Sequence, residues 1–214
     1  MNTRIKSFGP RKATQFTASV IGVFFGLLSG VNHGIFEILQ GNLPTSGLVI
    51  NAIGEAQRFW PEGTEPAFTL IPNYCLTGIV SILVGITIVI WSLRRLEDKQ
   101  GPVVYLGLFI LSFLVGGGMG QAFFFIPASI FLMRRGKFPR WLPQRSRPFL
   151  SRLWPAVLVL AVLTMLVGLE MAIFGWLPGV SNSAQLHNLN MLFVFGSLLL
   201  FILTFIAASA REDA

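Results

Sequence analysis

The sequence predicts an all-α, polytopic membrane helical bundle forming one integral membrane domain over residues 1 to 214, and three observations carry this reading. Hydrophobic residues make up 53% of the chain and charged residues 12%, with a mean hydropathy of +0.70, outside the range of ordinary soluble domains. Long apolar runs recur at about 15–38, 70–93, 102–133, 154–176 and 189–210, and a hydrocarbon core of ~30 Å takes ~20 helical residues. All but Arg58 of the 16 basic residues fall in the N-terminal arm, in 94–100, in 134–152 and in the tail. That placement follows membrane topology and excludes nucleic acid as the reason for the +7 charge.

The first helix, about 15–38, follows the basic arm MNTRIKSFGPRKATQF. Its apolar stretch runs on without a small-residue cleavage site, so it reads as a retained helix and not a signal peptide. Ala18, Gly22, Gly26, Gly30 and Gly34 follow at four-residue intervals, a small-xxx-small ridge that lets helix backbones approach closely. At ~100° per residue the ridge covers an arc of ~160° that includes His33 and Glu37, so both are expected to face the bundle. Asn32 flanks them. Ionisable groups inside a membrane segment are functional candidates; the structural alternative is a hydrogen-bonded packing histidine and a glutamate reaching water.

The connection 40–69 is long and faces outward under the positive-inside rule. It carries Glu55, Glu62 and Glu65 beside Phe59 and Trp60. Val49, Ile53, Ala56 and Trp60 recur at helical steps, which predicts a short interfacial helix, and a loop of this length is expected to act as a lid or binding element. The second helix, 70–93, starts at Asn73 after Pro72. Cys75 is the only cysteine, which excludes disulfides and CxxC chemistry within one chain and reads as a small buried hydrophobe.

The run 102–133 is too long for one ordinary span and is interrupted by GGGMG at 116–120. Basic segments on both sides require it to enter and leave by the same face. It is therefore read as two segments, 102–115 and 121–133, forming a short hairpin or a re-entrant pair. Six membrane segments result, with both termini cytoplasmic. The basic stretch RRGKFPRWLPQRSRPFLSR within 134–152 is expected on the anionic cytoplasmic leaflet, with a membrane or cytosolic partner as the alternative occupant.

The fifth helix, 154–176, ends in GLEMAIFGWLPG, which matches GVNHGIFEILQG at residues 30 to 41 in Gly, Ile, Phe, Leu and Gly at a constant offset. The match equates Asn32 with Glu170 and suggests two parallel hairpins with a site at their interface. His187, Asn188 and Asn190 open the sixth helix, 189–210. Asn32, His33, Glu37, Asn73, Glu170 and Asn190 thus gather toward the outer half as candidate ligand-binding residues.

This architecture resembles the substrate-capturing subunits of energy-coupling-factor vitamin transporters. The resemblance spans the whole chain and carries no residue motif. It implies that those six residues contact a small polar ligand, and that a cytosolic or membrane partner supplies energy. A second reading is a membrane metalloprotein or haem protein using His33, Glu37, Glu170 and His187, whose side chains have the right donor atoms. A third is a non-catalytic structural or assembly subunit whose polar residues pair among themselves. The chain has neither GxxxxGK[ST] nor GxSxG, so ATP hydrolysis and serine catalysis are not expected. Catalytic residues are not assigned, no cofactor is specified, and the expected location is the plasma membrane.

Overall fold

The computed structural model describes residues 12–134 and 137–212; the tip of the N-terminal arm, part of the basic loop and the last two residues lie outside the described residues. Among those described, six helices and a small sheet follow in the order α1 (Ala13–Leu39), β1 (Val49–Asn51), β2 (Pro66–Thr69), α2 (Tyr74–Arg94), α3 (Gly101–Leu114), β3 (Val115–Gly118), α4 (Ala122–Met133), α5 (Arg147–Phe174) and α6 (Ser183–Glu212). Four helices, α1, α2, α5 and α6, are long and apolar enough to cross a membrane. The other two, with 14 and 12 residues, reach only ~21 and ~18 Å at ~1.5 Å per residue.

The glycine ridge of α1 lies against α2. A Cβ on Gly30 would come within 2.5 Å of the Gly85 Cα, and one on Gly26 within 2.8 Å of the Gly85 carbonyl. Gly34 meets Gly78 in the same way. Contact numbers rise along one helix as they fall along the other, so the two are antiparallel. Over Gly26–Asn32 the helix is π-wound. Bonding i to i+5 turns the chain less per residue than an α-helix does, so a four-residue repeat holds one line against its neighbour. Ser81 Oγ donates to the Gly30 carbonyl at 3.1 Å, and Ser19 Oγ to the Ser92 carbonyl at 2.7 Å. Such hydroxyl crosslinks tie helices where apolar surroundings give no hydrophobic advantage.

Local signals set the other boundaries. Asn73 caps α2, its side chain accepting from the Leu76 amide at 3.0 Å. Pro148 sits in the first turn of α5, where its missing N–H costs nothing. Gly175, at φ +62, ends that helix in the left-handed conformation. Asn182 accepts from the Gln185 amide at 3.1 Å, so α6 begins at Ser183 and takes His187 and Asn188 into its first turns.

The interruption at GGGMG is an extended strand, Val115–Gly118, followed by a single 3-10 turn at Met119–Gln121. One expectation is corrected: the 49–60 region is not an interfacial helix, since Val49–Asn51 pairs antiparallel with β2, and β2 pairs with β3. The sheet explains both. An extended break between apolar helices leaves amides and carbonyls that lipid cannot satisfy, and β2 satisfies them. A single amphipathic turn carries too few hydrogen bonds to offset nucleation. Ile50, Ala52 and Ala67 then bury together under Tyr74 as a small core of the loop. Cys75, expected to be buried, is half-buried.

The main core is aromatic and lies where α1, α3, α4 and α6 meet. Phe25, Tyr105, Phe109, Phe124, Phe125 and Phe205 are all buried there, with Phe109 and Phe125 stacked at 4.7 Å. The α5–α6 hairpin packs chiefly on itself and meets the rest through α1 and α4.

Candidate functional site

A cavity of about 650 Å³ opens between the α1–α4 unit and the α5–α6 hairpin. Its walls are apolar: Phe25 and Leu28 from α1, Phe124 from α4, Met165 and Leu169 from α5, and Val194 from α6. The loop segment Trp60 to Pro66 closes one end, and Glu62, Thr64, Glu65, His187 and Asn190 bring polar groups there. An apolar body with a few convergent polar groups is the usual form of a small-molecule site. The roof is fixed by Trp60, whose indole N–H donates to the Ala172 carbonyl at 3.0 Å, and whose ring covers Gly175 so closely that no Cβ fits there.

Behind Glu65 at the polar end lies His33, which is buried and does not itself line the cavity. Its Nε2 lies 2.5 Å from Glu65 Oε2, and the two side chains are 2% and 39% exposed. Glu65 lies in the loop, outside the helices. Burial alone would raise its carboxyl, but the charge and hydrogen bond of His33 outweigh that and hold it below the usual carboxylate range. A second pair, His187 Nδ1 to Glu62 Oε2 at 3.3 Å, is more than half exposed on both sides and contributes at most ~1 kcal/mol. Of the two pairs, the one to His33 has a fully buried partner.

One turn beyond His33, Glu37 is fully buried. Neither of its carboxyl oxygens meets a hydrogen-bond partner among the described residues, and His33 Nδ1 has none either. Both side chains face β3. A Cβ on Gly116 would stand 2.6 Å from Glu37 Oε1, and one on Gly118 would stand 2.6 Å from His33 Cε1. Gly116, at φ +105, also needs a conformation that side chains disfavour. The glycines of β3 therefore form a wall that only bare backbone can make.

The remaining expected residues scatter. Asn190 lines the cavity and donates to the Gly168 carbonyl at 3.1 Å. Asn32 is half-buried and does not line it. Asn73 is occupied as the α2 cap and bonds Asn42 at 2.8 Å. Glu170 is exposed and points away from the cavity, because Leu169 already faces inward and the next residue lies ~100° around the helix. His33, Glu37, Glu170 and His187 are not brought together, and among the described residues no three His, Cys, Asp or Glu side chains are placed to hold a metal ion. Glu62, Glu65 and Trp60, which the sequence places in the loop without marking them as site residues, all line the cavity. Their signal was the acidic and aromatic content of a long connection; their partners lie too far along the chain for local spacing to reveal.

Compared with protein-family models, with curated proteins and with solved structures, the chain matches none.

Proposed function

We propose that this is a multi-pass membrane protein that binds, and as part of a larger assembly transports, a small ligand carrying a polar group at an outward-facing cavity. In this reading α3 and α4 form a re-entrant or short-spanning pair, giving six membrane segments. Both termini and the basic 134–152 loop face the cytoplasm, and the membrane is the plasma membrane. The asymmetry of Lys and Arg supports that orientation. It puts the loop and the cavity's polar end outside, and leaves the basic loop to anionic lipid or to a partner.

The observation that carries the reading is the cavity itself: about 650 Å³ between two helical units, apolar along its walls, with Glu62, Glu65, His187 and Asn190 at one end. That division favours an amphipathic ligand, apolar over most of its length, with a hydrogen-bonding or cationic head. The test is thermal stabilisation of the purified protein by a metabolite panel. A ligand at ~100 times its Kd adds ~2.7 kcal/mol. Asn190→Ala should weaken that effect and Glu170→Gln should leave it intact. No stabilisation by any amphipathic member of the panel would remove this reading.

A structural or assembly role is the second reading, favoured by the pairing of His33 with Glu65 and of His187 with Glu62. It predicts equal stability with and without every compound tested.

A further inference from the structure

Buried polar atoms in a helical bundle are almost always paired, and Glu37 is the carboxyl among the described residues for which both oxygens depart from that rule. Its carboxyl is fully buried with no partner among the described residues for either oxygen. An unpaired ionised carboxylate costs far more to bury than the neutral acid. His33 lies one turn away on the same helix, an i,i+4 pair on one face, and its Nδ1 is likewise buried without a partner. Both side chains abut the glycine strand β3. On its other side, the imidazole holds Glu65 through Nε2 at 2.5 Å, and Glu65 lines the cavity and is 39% exposed. An accessible carboxylate, an imidazole that holds it through Nε2 and leaves Nδ1 without a partner, and a buried carboxyl one helical turn further on thus follow one another.

We propose that Glu37 is a proton-binding site loaded from the cavity through Glu65 and His33. In the loading step, a proton on the Glu65 carboxyl passes to His33 Nε2. The Nδ1 proton of the same ring, which does not bond Glu37 directly in this structure, passes to the Glu37 carboxylate after a rotamer change or across one bridging water. Glu65 ends ionised, His33 ends as its other neutral tautomer, and Glu37 ends as the acid, so one proton has moved inward and charge is conserved. The reverse sequence unloads it. Imidazole suits this task because its two nitrogens exchange donor and acceptor roles near neutral pH, and chains of Glu and His within membrane segments serve as proton relays. Around Glu37 the other packed elements bring little charge. From α2 come the Thr77 side chain and, at the helix end, the weak acids Tyr74 and Cys75; β3 brings only backbone; the loop brings Glu65. Thr69 and Thr77 bond each other at 3.1 Å. The cations of these elements lie elsewhere: Arg94 stands at the opposite end of α2 from Thr77, and Arg58 in the loop donates to the Pro61 carbonyl.

The inference rests on α1 being a membrane helix and does not depend on what fills the cavity. Infrared spectroscopy of the full chain in lipid nanodiscs at neutral pH tests it. Wild type should show the C=O stretch of a protonated carboxylic acid, which Glu37→Gln should abolish. Glu37→Asp keeps the acid and should move the band, and it serves if the glutamine variant does not fold. On transfer to D2O, His33→Phe should slow deuteration of that band by at least about tenfold, a modest share of the ~10²–10⁴ that a positioned acid–base group supplies. Absence of the band in wild type, or its persistence unmoved in both Glu37 variants, overturns the site. Deuteration in His33→Phe as fast as or faster than in wild type overturns the relay. Either failure leaves the ligand-stabilisation result untouched, so the two proposals fall separately.

Discussion

His33, near the C-terminal end of the first helix, and Glu65, 32 residues later in the loop, meet at 2.5 Å, and this bond ties the helix to a residue that lines the cavity. One partner is buried and the other half-exposed, so its strength lies between that of a surface pair and that of a fully buried one.

A double-mutant cycle measures that strength. His33→Ala and Glu65→Ala should each destabilise the protein by about 1–3 kcal/mol, the range for hydrogen bonds to charged groups, at the lower end because solvent reaches Glu65. The double variant should cost little more than either single one. Additive losses would mean that the two residues act independently.

Acid should loosen the loop. The folded protein holds the Glu65 carboxyl below its usual range through His33, against the desolvation that opposes it. A carboxyl lowered on folding contributes stability above its unfolded value of ~4.3 and loses it as pH falls through the folded value. Opening of residues 60–66, read as hydrogen exchange divided by the intrinsic rate at each pH, should therefore stay flat from about pH 7 to 5 and rise below about pH 4. In Glu65→Gln that acid-dependent rise should disappear.

The β3 wall gives a third expectation, with its own control. Gly116→Ala would set a methyl group against Glu37 and Thr77 in a left-handed backbone position, and should cost at least about 1–3 kcal/mol. Gly107→Ala, where a Cβ meets nothing within 4 Å, should be neutral or stabilising by up to ~1 kcal/mol, since alanine favours helix. Thermal unfolding of the two variants side by side checks both.

How far these features could be read from the sequence depends on the range of the interactions that create them. The glycines of α1 announce their role because their four-residue spacing is a local pattern that any close helix partner exploits. The positions of the four long helices follow from the apolar runs for the same reason. Val49 and Ile53 misled because a few apolar residues at helical steps are also compatible with a strand, and the deciding partner, β2, lies across the loop at Pro66–Thr69, outside the window a local periodicity reads. The inward face of α5 was misassigned by one residue: the partial repeat aligned Glu170 with Asn32, while packing of Met165 and Leu169 set the phase. Glu65 could not be matched to His33, because ion pairing across a loop leaves no periodic trace.

The strand β2 bears on how the chain assembles. It is made before the glycine break that it completes, and it must wait, held by β1 and the buried Ile50–Ala67 contact, until α3 delivers β3 to its edge. The chain order thus lets β1 and β2 pair before the strand whose edge they complete has been synthesised. Deleting β2 from the loop should leave α1 and α2 able to insert, but strand the middle pair with open backbone and expose it to quality-control proteolysis.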